Sequence, residues 1–331
     1  MDKKRWIALV IAVGIFIVSI ISQIRTTVAT TDFDSIFNSF NGKYGEEVID
    51  LGTSMDKIAV LRLNGVIQEG IAPGLLSTGS YNHQRFLDLL DHAGEDKSIK
   101  AIVMDVNTPG GGVVESAEIH EKVLEIQQTY KKPVYVSMGN TAASGGYYIS
   151  APADKIVAHP ATLTGSIGVI MQALNYAELA DNLGIDFNTI KSGEYKDIMS
   201  ASREMTDGER TILQTMIDEL YGEFVQVIVD GRGMSESTVR ELGDGRVYTG
   251  TQAKENGLVD ELGTLDDTIA MMKEEQGLSD ATVIEYTNGF EFNKFLGGAV
   301  QSVFGNQSEL ADLENIFREA NAPRAMYLYS R

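Results

Sequence analysis

The sequence contains no cysteine. That single absence excludes disulfides, thiolate metal ligands and a cysteine nucleophile together. Histidine is scarce: His83, His92, His120 and His159 are the only four, and no two stand at metal-ligand spacing. A zinc enzyme of the H-E-x-x-H kind is therefore excluded, and no metal or other cofactor is expected. Basic residues are also short, 27 Lys and Arg against 47 Asp and Glu, for a formal charge of −20. A nucleic-acid partner needs a basic face, so none is expected. Chemistry must come from Ser, Lys, Asp, Glu or the backbone.

The only long apolar run is Trp6 to Ile24 (WIALVIAVGIFIVSIISQI), which carries no charge. As a helix it would extend roughly 28 Å at 1.5 Å per residue, close to the hydrocarbon thickness of a bilayer. Lys3, Lys4 and Arg5 precede it, which keeps the N-terminus cytoplasmic and sends the rest of the chain across. A cleaved secretory signal is the rival reading, with Thr27 and Ala29 as the small residues of a cleavage site. The run exceeds the usual signal-peptide core, so an uncleaved anchor is the better expectation. Either way the globular part is extracytoplasmic.

These features predict a basic stub at 1–5, an anchor at 6–24, a polar acidic linker at 25–56 and a folded domain at 57–276. A C-terminal segment follows at 277–331. Inside the domain short β-rich runs alternate with amphipathic stretches. Ile58–Leu63, Ile99–Val106 and Pro133–Met138 read as strands, Asn82–Ala93 and Val113–Gln128 as helices. Ile167–Ile170, Asn175–Asn182 and Asp186–Lys191 continue the alternation, with Asp186–Ile190 as a strand. The pattern implies an α/β layer fold with a largely parallel sheet. Beyond Thr206 the chain turns helical: Thr206–Val229, Ser235–Leu242, Gly250–Asn256 and Leu265–Gln276. Thr206 followed by Glu209 has the spacing of a capping box. After a strand near Thr282–Thr287, Phe290–Phe304 is expected as an amphipathic helix whose apolar face a second subunit, or else the membrane, would cover.

Three stretches carry candidate chemistry. Asn107-Thr-Pro-Gly-Gly-Gly112 joins a buried strand to a helix, where consecutive glycines can turn N–H groups inward as an oxyanion hole does. A tight turn or a phosphate loop would look the same. In Gly139-Asn-Thr-Ala-Ala-Ser-Gly-Gly-Tyr-Tyr148, Ser144 opens a helix among small neighbours, which suits either a nucleophile with room for substrate or a plain N-cap. The third stretch is Lys191-Ser-Gly-Glu-Tyr-Lys-Asp197. A neutral lysine can replace histidine as base if its pKa falls by roughly 3 units. Lys191 and Lys196 both qualify, as does the reading that each is a surface lysine.

From Lys57 to about Gln276 the chain resembles the signal peptide peptidase A family, whose fold is shared with Clp-type serine proteases and crotonases. NTPGGG (107–112), AASGGYYIS (142–150), LTGSIGVI (163–170), KSGEYKDIMS (191–200), DGRVYTGTQA (244–253) and GLVDELG (257–263) carry the resemblance, in order and spacing. It implies a Clp protease/crotonase-like fold with a helical C-terminal part. It makes Ser144 the nucleophile, Lys196 the general base and Ser166 the residue that orients the lysine amine. Gly111 and Gly145 become the oxyanion donors. It further implies one catalytic module, a homo-oligomeric ring in which serine and lysine come from neighbouring subunits, and hydrophobic peptides, remnant signal peptides among them, as substrates. The alternatives are a crotonase-type acyl-CoA enzyme and a catalytically idle oligomeric scaffold at the membrane.

The C-terminal end adds one expectation. After a helix at Ser308–Ala320, Pro323 breaks the pattern and leaves the apolar, extended Arg324-Ala-Met-Tyr-Leu-Tyr-Ser-Arg331. Such a tail resembles the peptides that the enzyme would cleave. It is expected to add as a strand to a cleft edge, as a self-substrate or a plug; a strand packed on a neighbour is the bland alternative.

Overall fold

The computed structural model describes residues 44–69, 81–287 and 325–329. The expected anchor at Trp6–Ile24 and the expected helices at Phe290–Phe304 and Ser308–Ala320 lie outside them. Among the described residues no helix is long and apolar enough to cross a membrane. The chain divides into two units, one of Met1–Glu47 with Tyr286–Gly305, the other of Val48–Glu285 with Asn306–Arg331. Only the second is described at length.

Its strands and helices, in order, are β1 (Gly45–Asp50, whose first residues belong to the other unit), β2 (Lys57–Asn64), α1 (His83–Glu95), β3 (Ile99–Thr108), β4 (Gly110–Gly112), α2 (Val113–Gln128), β5 (Val134–Ala143) and α3 (Gly145–Ser150). Then come β6 (Lys155–Ala158), β7 (Leu163–Gly165), α4 (Ala177–Asn182), α5 (Asp207–Arg232), α6 (Glu236–Leu242), β8 (Val247–Thr249), α7 (Gly250–Glu255), β9 (Glu261–Leu262), α8 (Leu265–Glu275), β10 (Thr282–Thr287) and β11 (Met326–Leu328).

The main sheet runs β10-β2-β3-β5-β6-β9, and every pair along that path is parallel. A parallel sheet is covered on both faces, so its strands are apolar without alternation. β3 follows that rule, with Ala101, Ile102, Val103 and Met104 all fully buried. Ile58, Val60, Ala101 and Val103 meet Ile269 and Met272 of α8 on one face. The alternate residues Ala59, Leu61, Ile102 and Met104 point the other way and are also buried, and α1 packs against both strands. The mixed α/β fold with a largely parallel sheet thus agrees with the sequence reading.

Two expectations need correction. Ile167–Ile170 forms no strand beyond a single bridge at Ile170, and Asp186–Lys191 has no regular structure. Ile185, Phe187 and Ile190 are all exposed, and Ile190, three residues after Phe187, breaks the two-residue period of a strand face. A strand also requires a neighbour to pair with, and this segment pairs with none among the described residues. The sequence reading in turn lacked the short pieces β4, β6, β7, β8 and β9.

Helix α5 begins with the capping box expected at Thr206 and Glu209. The Glu209 side chain is buried, and its carboxylate accepts hydrogen bonds from Arg203 (2.9 Å) and from the Thr206 N–H (2.9 Å). These partners, Arg203 foremost, hold its carboxyl at about 2. A folded value below the ordinary one means stability that is present above pH about 4.5 and lost as pH falls toward about 2. Urea midpoints measured across that window should fall with pH in the wild type. In Glu209→Gln the fall should be shallower, starting from a lower neutral midpoint.

Candidate active site

The carboxyl ends of β3, β5 and β7 meet at one edge of the sheet. Ala143, the last residue of β5, pairs with Gly165, the last of β7, and the Ser144 N–H donates to the Gly165 carbonyl at 2.7 Å. Ser144 and Ser166 therefore leave adjacent strands side by side. Both have positive φ, 54° at Ser144 and 50° at Ser166, a region that costs a non-glycine residue of order 1–3 kcal/mol. Ser144 is buried, and its Oγ has no hydrogen-bond partner among the described residues. An N-cap reading of Ser144 fails, because its side chain caps nothing in α3.

The glycine stretch lies against this serine as β4. A methyl built on Gly145 would stand 3.1 Å from the Gly111 nitrogen and 2.7 Å from Ser116 Oγ. Gly110, at φ 102°, would put a methyl 2.7 Å from the Gly145 nitrogen. Only glycine allows these backbones so close. Gly111 and Gly145, which the resemblance paired, are thus brought together beside Ser144.

On the open side of β4 lies β11. Tyr327 pairs with Gly111 in antiparallel register, and the Tyr329 N–H donates to the Pro109 carbonyl at 2.8 Å. Hydrogen-bonded pairs alternate in an antiparallel ladder, so Tyr327 and Gly111 also form one, with the Gly111 N–H toward the Tyr327 carbonyl. On its other edge Met326 exchanges two hydrogen bonds with Ile170, at 2.9 and 3.0 Å. The Tyr327 carbonyl oxygen is 3.1 Å from the methyl position of Gly145. The Tyr327 side chain is fully buried, stacked 4.9 Å from Tyr148 and tilted against Phe224 at 4.7 Å, and its hydroxyl donates to the Leu220 carbonyl at 3.1 Å. Burial pushes the Tyr148 phenol up to about 12 and raises that of Tyr327 as well. The expected extended tail is therefore a strand on the glycine loop of its own chain. Tyr148, Phe224, Ile67 and Ile170 were not singled out as site residues. Tyr148 stands within the AASGGYYIS motif, whereas Phe224 is one apolar residue among many on α5.

The lysines are placed differently. Lys191 Nζ donates to Asp197 at 2.7 Å and to the Glu194 carbonyl at 2.8 Å. Together with Arg203, the stronger influence, it holds the Asp197 carboxyl well below the usual range. Lys196 sits on an exposed turn, and its amine makes no hydrogen bond or ion pair among the described residues. Ser144 and Lys196 are accordingly not hydrogen-bonded within one chain. Among the described residues no group of three or more His, Asp or Glu could hold a metal ion.

The pattern of Peptidase family S49 matches residues 126–279. A putative signal peptide peptidase of Enterococcus faecium is 41% identical over 99% of both chains. A putative protease of Methanocaldococcus jannaschii is 41% identical over 70% of this chain and 71% of its own. The chain belongs to the signal peptide peptidase A family. It is a serine peptidase of peptidase family S49, with peptides as substrates. Protease 4 of Salmonella typhi, a longer S49-type relative, is 36% identical over 66% of this chain but only 34% of its own.

The aromatic seat of Tyr327 generates a prediction independent of catalysis. Tyr327→Ala empties a fully buried ring site, a loss of about 3–5 kcal/mol for a large aromatic. Amide exchange at Met326 to Tyr329 should then approach that of an unpaired peptide, while exchange in β3 and β5 is unchanged. Undiminished protection would mean that the backbone ladder alone holds the strand.

Proposed function

We propose that this family member is a membrane-anchored endopeptidase acting on hydrophobic peptides, remnant signal peptides among them, through Ser144 and Lys196. The observation that carries the reading is the extended strand β11. It lies antiparallel on Gly110–Gly112 with a carbonyl at Gly111, beside a buried serine hydroxyl that has no partner among the described residues. A peptide bound the same way offers its carbonyl to Ser144.

In the proposed reaction Ser144 Oγ attacks the carbonyl carbon while neutral Lys196 Nζ takes the hydroxyl proton. The negative charge that develops on the carbonyl oxygen is met by the Gly111 and Gly145 N–H groups. One such donor is worth about 2.7–4 kcal/mol in related chemistry. Collapse breaks the C–N bond, the amine leaves with the proton from Lys196, and an ester to Ser144 remains. Water, deprotonated by Lys196, hydrolyses that ester and restores both residues. Ser166 accepts the role of orienting the lysine amine.

The lysine is proposed to act on the serine of a neighbouring subunit in a homo-oligomeric ring. Leu174, Leu179, Leu183, Phe187 and Ile190 are exposed on the single chain around the lysine segment. Apolar exposure on that scale is favourable to cover, and covering it would also desolvate Lys196. The membrane anchor is proposed at Trp6–Ile24, N-terminus cytoplasmic and catalytic unit extracytoplasmic, on the charge and hydropathy of that segment. The tail is proposed as a self-substrate.

Ser144→Ala should lower turnover of an apolar peptide by at least about 1,000-fold and abolish labelling by a serine-directed phosphonate, with the fold retained. Lys196→Ala should be nearly as damaging and Lys191→Ala far less. Only the neutral amine accepts a proton, so kcat/KM should rise with pH toward the alkaline side; a flat profile would remove Lys196 as base. Mixing the Ser144→Ala and Lys196→Ala proteins should restore activity if the pair forms between subunits. No recovery after verified mixing would place it within one. Mass spectrometry should find the tail trimmed in active protein and intact in Ser144→Ala.

A further inference from the structure

The Gly111 N–H can point into the site only if the strand carrying it is held on its other edge, and that edge is Ile67. The Ile67 N–H donates to the Gly110 carbonyl at 2.9 Å, and the Gly112 N–H donates to the Ile67 carbonyl at 2.7 Å. With Gly110 and Gly112 turned toward Ile67, the strand alternation turns the N–H and C=O of Gly111 the opposite way, toward Tyr327. Ile67 makes an isolated bridge between bends at Gly65 and Glu69 and belongs to no strand.

One side chain reaches this segment from α2. Glu115 Oε1 accepts the Glu69 N–H at 3.0 Å. Its other oxygen lies back over β4, 1.9 Å from where a methyl on Gly112 would be. Gly112 is the N-cap of α2 and has no side chain with which to cap it, so the carboxylate occupies the first turn, where the helix dipole favours negative charge. One turn on, Glu118 holds His83 Nε2 at 2.7 Å, and the other ring nitrogen of His83 meets the Tyr81 hydroxyl at 2.6 Å. Two carboxylates on one face of α2 thus tie down residues on both sides of the 70–80 stretch.

We propose that Glu115 is a positioning residue for the oxyanion site: it latches the Ile67–Glu69 segment to the start of α2 and thereby aims the Gly111 N–H. The inference rests on the reading of Gly111 as an oxyanion donor. Glu115 makes no hydrogen bond to the Ser144 hydroxyl, so its loss should act on the transition state rather than on peptide binding. Glu115→Ala should lower kcat by roughly 10- to 100-fold with KM little changed, because the donor is displaced rather than deleted. Glu115→Gln keeps an acceptor oxygen at the same reach and should stay within about threefold of wild type. Both variants lose the same charge at the helix N-terminus, so a role confined to helix stability would move them together.

Amide exchange at Ile67, Glu69 and Gly112 reads the latch without calling on turnover. It should rise in Glu115→Ala and remain near wild type in Glu115→Gln. Unchanged exchange in Glu115→Ala overturns the proposal, and so does raised exchange with unchanged kcat, or an equal loss of kcat in both variants. Peptide turnover that survives Ser144→Ala in a folded protein would instead overturn the reading of the site, while the exchange data would still decide the latch.

Discussion

A backbone N–H cannot be aimed separately from its chain, so a site that uses one must fix the strand that bears it on both edges. β4 is three glycines long and has no side chains with which to anchor itself. Its direction comes from Ile67 on one edge and from whatever extended peptide lies on the other, here Tyr327. The same glycines that allow Gly145 to approach Gly111 also remove every side-chain contact that could hold β4 in place. Fixation is displaced to neighbours: the Thr108 hydroxyl, which accepts the Gly110 N–H at 3.0 Å, the Ile67 backbone, and Glu115 behind them.

The parallel sheet makes this arrangement possible. Its strands are buried on both faces, so the loops at their carboxyl ends rest on a rigid floor and can carry conformations that would relax elsewhere. Ser144 and Ser166 both hold positive φ immediately after paired residues, Ala143 and Gly165. The Ser144 N–H bond to Gly165 joins the two strained positions, and the Ser166 N–H donates to the Arg246 carbonyl at 2.8 Å. Strain at each serine is offset by ladder bonds that precede it, which is why a short strand such as β7 matters more to the site than its three residues suggest.

What was legible in the sequence follows the same physics. Long apolar runs such as Ile99–Val106 announce buried parallel strands, and spaced apolar residues with Asn82 or Thr206 ahead of them announce capped helices. NTPGGG and AASGGYY announced a place where backbones approach, and the structure brings Gly111, Gly145, Ser144 and Ser166 to that place. The rest depends on contacts that a linear pattern does not encode. β4, β7 and β8 are three residues each, too short for any periodicity. Asp186–Ile190 has short apolar content like a strand's but pairs with nothing among the described residues. Tyr148 and Phe224 form a seat for Tyr327 only after α3 and α5 are packed together. The alternating apolar residues of the tail did carry information, because a strand added to an open edge uses backbone first and side-chain pockets second.

The lysine sets the last constraint. Negative neighbours stabilise a lysine cation, and the chain carries a formal charge of −20. Lys191 donates to Asp197 in the same turn. A base that must shed its proton near neutrality needs the opposite surroundings, dry and free of carboxylate partners. Lys196 is free of such partners among the described residues, yet in a single chain it is exposed to water. In the proposed reaction desolvation of that amine comes from covering the exposed apolar side chains at Leu174, Leu183, Phe187 and Ile190. If a second subunit covers them, the same contact that buries those side chains also removes water from the amine. Under the proposed reading assembly and the desolvation of Lys196 then become one event, while the serine, the strained loops and the proposed oxyanion donors are already in place in a single chain.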